Sequence, residues 1–143
     1  MIRAFVFFIV LSTSLLYSEG VQLTHTEEQK ETWRKLYSKL NSKMARMEEV
    51  LNYVERFMDE ENFKEEVLSS LAEFIFLSNE ALEQIPVYLD TEERPPYSNA
   101  LKLTASYGGQ LYLAIDQSNS QGADQALLSL RRIRRISHAK WAE

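Results

Sequence analysis

Cysteine is absent from the 143-residue sequence, which removes disulfides, iron–sulfur ligation, thiolate zinc sites, cysteine nucleophiles and covalent haem attachment together. Histidine is almost absent as well, because His25 and His138 are the only two imidazoles. A di-iron carboxylate bundle needs two Glu-x-x-His pairs, whereas Arg135 stands three residues before His138 and His25 falls outside the apolar pattern. No serine sits on a nucleophile-elbow motif, so a Ser-His-Asp hydrolase is not indicated either. An excess of positive charge is also missing. The formal net charge of -5 argues against nucleic acid as a partner and favours a basic or neutral one. All three prolines are confined to residues 86–97, leaving the rest of the chain free of helix breakers. The apolar run Ala4–Leu11 with Leu15–Leu16 is shorter than the roughly 20 residues a membrane-spanning helix needs.

That run follows Arg3 and precedes the small residues Ser18 and Gly20, the pattern of an export signal. Residues 1–20 are therefore expected to be a signal peptide, with cleavage after Gly20 and residues 21–143 as one mature domain. Membrane attachment is expected only if residues 1–20 stay uncleaved. After Val21 four segments repeat apolar residues every three or four positions, and none shows the period-two alternation of a strand. The first, near residues 28–58, carries Trp33, Tyr37, Leu40, Met44, Met47, Leu51, Val54 and Met58 in one seam. The second, opened by the acidic Asp59–Asn62, carries Phe63, Val67, Leu71, Phe74, Ser78, Leu82 and Ile85. A loop is expected over residues 86–97. A third helix then spans residues 98–117, with a face that becomes small at Ala105, Gly108 and Gly109. The Ser118–Gly122 turn leads to a fourth helix through Trp141. Short outer connections around a longer central one fit an all-α, antiparallel up-down-up-down four-helix bundle with a long first helix.

The remaining chemistry rests on Met44 and His138. Met44 lies fourteen residues before Met58, and His138 fourteen after Asp124. At about 1.5 Å per residue both stand about 21 Å along neighbouring antiparallel helices, level with each other. Leu127, Leu130, Arg134, His138 and Trp141 form one stripe on the fourth helix. Thioether sulfur and imidazole nitrogen together can serve as axial ligands of haem iron. Taken singly, each residue has a plainer reading: a methionine in such a seam fills a core, as Met47 does, and a histidine near a helix C-terminus is favoured by the dipole alone.

The run Leu130-Arg131-Arg132-Ile133-Arg134-Arg135-Ile136-Ser137-His138-Ala139-Lys140-Trp141 resembles the closing helix of the soluble periplasmic cytochrome b562 family, with the cytochromes c′ as more distant relatives. The segment from Met44 to Val54 is similar to that family's opening helix, and weaker similarity extends from about Asn41 to the end of the chain. The resemblance implies that Met44 and His138 are iron ligands and that the protein is a periplasmic electron carrier, not an enzyme. The covalent branch of the fold attaches haem through Cys-x-x-Cys-His, and here Arg134 and Ser137 stand at the cysteine positions. One non-covalent haem b is thus implied, with Arg134 near a propionate as a charge-assisted contact. The redox partner is unidentified; an acidic one would suit the cluster Arg131, Arg132, Arg134 and Arg135.

One feature departs from that family. The helical pattern reaches about sixteen residues before Met44, so helix one is expected to overhang the bundle. Trp33, Leu36, Tyr37 and Leu40 then offer a partner or homodimer surface, or the end folds back. The competing function is a haem-free exported helical bundle acting as a protein-interaction or stress-related module.

Overall fold

The computed structural model describes residues 26–141; the expected signal peptide, its cleavage site and His25 lie outside them. Five α-helices and one short 3-10 turn make up the described residues, with no strand among them. They are α1 (Glu27–Leu36), α2 (Leu40–Phe57), the 3-10 turn Glu61–Phe63, α3 (Lys64–Ala81), α4 (Arg94–Asp116) and α5 (Ser120–Trp141). None of these helices is long and apolar enough to cross a membrane.

The expected long first helix is two helices. Helix α1 opens on a reciprocal cap, in which the Gln29 amide N–H donates to Thr26 Oγ1 and the Thr26 N–H donates to Gln29 Oε1. It stops at Tyr37 (φ -120°, ψ 51°), and the chain is extended at Lys39. Neither glycine nor proline causes the break. Its reason is tertiary: the Ser38 carbonyl, freed from the helix ladder, accepts from Lys43 Nζ at 3.1 Å and from Gln84 Nε2 at 2.8 Å. Lys43 Nζ also donates to Gln84 Oε1 at 2.6 Å. The corner turns α1 back onto α3, where Trp33 meets Phe76 at 5.3 Å between ring centroids and Arg34 pairs with Glu80. The projecting seam is therefore mostly used internally. Trp33 lies on Phe76, Tyr37 and Leu40 pack against the core clusters, and Leu36 stays exposed.

Two other boundaries move for local reasons. The expected loop at 86–97 runs instead from 82 to 93, and α4 takes Pro95 and Pro96 into its first turn. Amides there have no intrahelical acceptor, so prolines lose nothing. Helix α5 starts at Ser120, with Asn119 Oδ1 accepting from the Gly122 N–H at 3.0 Å. A Cβ on Gly122 would stand 2.7 Å from Asn119 Nδ2, so a larger residue there would have to displace the capping side chain.

Consecutive helices α2, α3, α4 and α5 pack on one another. Helices α2 and α5 are joined by Glu48–Arg134 and Glu55–Arg131; residue numbers rise along one as they fall along the other, so the pair is antiparallel. The main core gathers Val50, Leu51 and Val54 from α2, Val67, Leu71 and Leu77 from α3, Leu111 from α4, and Leu127 and Leu130 from α5. Leu51, Val54, Val67, Leu71, Leu111, Leu127 and Leu130 follow the three-and-four spacing of the sequence, and Val50 and Leu77 widen the buried face beside them. A smaller cluster of Ala81, Leu89, Tyr97 and Leu101 occupies the end of the molecule near the 82–93 loop, with Leu40, Met44, Ile85 and Trp141 against it.

Candidate functional site

Between these two clusters lies a cavity of about 450 Å³. Helix α2 supplies Leu40, Asn41, Met44, Met47, Glu48 and Leu51 to its wall, and α3 supplies Phe74. Pro86 and Tyr88 come from the loop, and Tyr97, Ala100, Leu101 and Thr104 from α4. Helix α5 closes it with Leu130, Ile133, Arg134, Ser137, His138 and Trp141. All three residues singled out in the sequence, Met44, Arg134 and His138, thus face one cavity. Met44 is half-buried and packs against both clusters, whereas His138 is exposed at the rim.

The register of α2 against α5 follows from an ion pair. Glu48 and Arg134 are in contact, Met44 lies four residues before Glu48, and His138 four after Arg134. On antiparallel helices both side chains are displaced about 6 Å in the same direction from the pair, which sets them level. Helix α5 begins at Ser120, four residues before Asp124. The ion pair replaces a count from the turns with a contact.

Several expectations are refined. Arg134 has the Glu48 carboxylate as its partner, within this chain. Arg131 donates to Glu55 at 3.0 Å, and that hydrogen bond raises its pKa. Of the arginine cluster, Arg132 and Arg135 are exposed and form no ion pair among the described residues. The small face of α4 does not open onto the cavity. At Gly108 a Cβ would meet Phe74 and Ile75 side chains at 3.1 Å, so that glycine serves the close approach of α4 to α3. Met47 is buried, with Ser78 Oγ at 4.0 Å from its sulfur, and also forms part of the wall.

Sequence reading missed Glu48, Tyr97 and Glu93. Glu48 had a signal, since it is one turn from Met44 on the same stripe as Glu55, opposite the arginines of α5. Tyr97 is buried on the cavity wall, and burial pushes its phenol above the ordinary value, with Tyr88 adding to the shift. Trp141, the last residue of the stripe that carries His138, stands edge-on to Tyr97 at 5.3 Å.

The lining is mostly apolar, with Met44 and His138 as its thioether and imidazole. The volume lies in the range of cofactor sites, roughly 300–1,000 Å³, and its donors are one thioether and one imidazole on adjoining helices. Comparison with protein-family models, with curated proteins and with solved structures gave no match.

Proposed function

We propose that this protein is an exported, periplasmic electron-transfer protein that holds one non-covalent haem b between Met44 and His138 in an up-down-up-down four-helix bundle. The observation that carries the reading is the single cavity lined by both residues, level with each other on antiparallel helices. When bound, haem supplies a one-electron couple, and Met/His ligation raises its potential. The chain's own residues do the rest. The Met44 thioether and the His138 imidazole would hold the metal, while Leu51, Phe74, Leu101, Leu130 and Ile133 line the cavity and favour an apolar guest. The Glu48–Arg134 pair brings no net charge to the wall. Two protein donors would leave such a metal little room to take a substrate, so the proposed role is carriage of an electron to an unidentified partner, not catalysis.

The test is an absorption spectrum of the exported protein, oxidised and then reduced with dithionite, beside Met44→Ala and His138→Ala. Sharp α and β bands in the reduced parent, degraded in both variants, are expected. The pairing of Arg134 with Glu48 rather than leaving it open to a propionate favours a second reading, a haem-free interaction bundle. Protein that stays colourless after haem is added selects that reading and refutes the first.

A further inference from the structure

The end of the cavity is closed by an arrangement that no axial-ligand argument requires. Glu93 immediately precedes α4, in the position where an acidic side chain ordinarily caps the helix by accepting from the second or third amide. Here those amides belong to Pro95 and Pro96, which have no N–H to donate. The carboxylate makes no cap and reaches to α5 instead. Its Oε2 accepts from Trp141 Nε1 at 3.1 Å and from Lys140 Nζ at 3.2 Å. Trp141 is thereby held edge-on to Tyr97, and both rings line the cavity. Arg94 Nε donates to the Leu89 carbonyl at 3.2 Å, tying the adjoining loop to the same corner.

We propose that Glu93 is a positioning residue for the cavity: through Trp141, one turn beyond His138, it fixes the last turn of α5 as a wall and keeps the guest from leaving by that end. Helix ends fray unless something ties them down. Trp141 packs against the smaller core cluster, not the main one, and such satellite regions open at lower cost than the global core. The contact from Glu93 therefore governs the opening of this end without governing the fold.

The claim about the guest rests on the proposed haem reading; the claim about Trp141 does not. Both are tested in Trp33→Phe protein, where Trp141 is the sole tryptophan. Acrylamide quenching of Trp141 is measured first without cofactor, then hemin release to excess apomyoglobin. Glu93→Ala is expected to raise the quenching constant about two-fold and the release rate roughly five- to ten-fold, as loss of one charge-assisted hydrogen bond implies. Glu93→Gln, which keeps an acceptor oxygen, should recover most of both, with the thermal midpoint of the helical core unchanged. In Trp141→Phe protein, adding Glu93→Ala should not accelerate release further. Unchanged quenching in Glu93→Ala overturns the proposal, as does equal acceleration of release with or without the indole. If the parent takes up no hemin, the cytochrome reading falls, and quenching alone decides whether Glu93 holds Trp141.

Discussion

Replacing Arg46 with methionine is expected to destabilise the protein by about 3 kcal/mol, and replacing its partner as well is expected to return most of that loss. Arg46 Nε and Nη2 donate to the two oxygens of Glu73 at 2.8 and 3.1 Å, a forked pair that ties α2 to α3. The hydrogen bonds that Arg46 donates to Glu73 are the largest cause of its raised guanidinium pKa. Exposure decides which partner is costlier to lose, since the Glu73 side chain is 9% exposed against 32% for Arg46. Without Arg46, a nearly buried carboxylate is left without its partner. Breaking a buried pair in this way costs about 3–5 kcal/mol, and the lower end applies because water can enter along the exposed side of Arg46.

The opposite deletion is milder. Without Glu73, Arg46 keeps Glu49 at 3.2 Å and the solvent, so Glu73→Met should cost about 1 kcal/mol. The double substitution strands no charge and should also cost about 1 kcal/mol, roughly 3 kcal/mol less than the sum of the single losses. Urea unfolding followed by circular dichroism reads all three, and Arg46→Met alone should lower the thermal midpoint by about 10 °C. Additive effects, or a Glu73→Met loss equal to that of Arg46→Met, would refute the reasoning from exposure.

Three further outcomes follow from the same structure. Leu111→Ala, at a fully buried position, should cost about 3–5 kcal/mol, whereas Leu128→Ala on the exposed face of α5 should stay within about 0.5 kcal/mol; similar losses at both sites would contradict the assigned core. The Glu93 carboxyl is held below its ordinary value by hydrogen bonds from the Trp141 indole and the Lys140 ammonium, so the unfolded chain binds more protons in that window. Its contribution is present above the usual glutamate value of about 4.3 and is lost as pH falls through the folded-state value. An acid titration of Trp141 fluorescence in Trp33→Phe protein should show this loss, and Glu93→Gln should flatten it; an identical titration in both would count against the contact. Burial lowers the Lys43 pKa, yet its ammonium holds the Ser38 corner, so Lys43→Met should speed amide exchange in α1 while leaving α5 unchanged; unaltered exchange in residues 27–36 would show that the corner does not depend on Lys43.

Much of the fold was legible because helical periodicity is local. Val54, Leu71, Leu111 and Leu127 repeat at three-and-four spacing and are all buried. The facing of Met44 and His138 across one cavity could be anticipated from the stripe each belongs to, although the count along α5 was off by a turn. The two prolines misled because a first helical turn and a loop read alike where amides are missing. Glycine and proline are likewise absent from the 37–39 break, so nothing local announces it.

Helix content and the apolar stripes were determined by the sequence alone, since each depends on residues within one or two turns of one another. Tertiary structure decided what depends on distant partners. The corner at Ser38 exists because Gln84, 46 residues away, satisfies its carbonyl, and the level of Met44 with His138 is set by Glu48 meeting Arg134 across 86 residues. Glu93 reaches Trp141 because the prolines beside it withhold the amides it would otherwise cap. A buried or freed polar group takes whichever partner the fold brings within about 3 Å, and that choice is made in space, not along the chain.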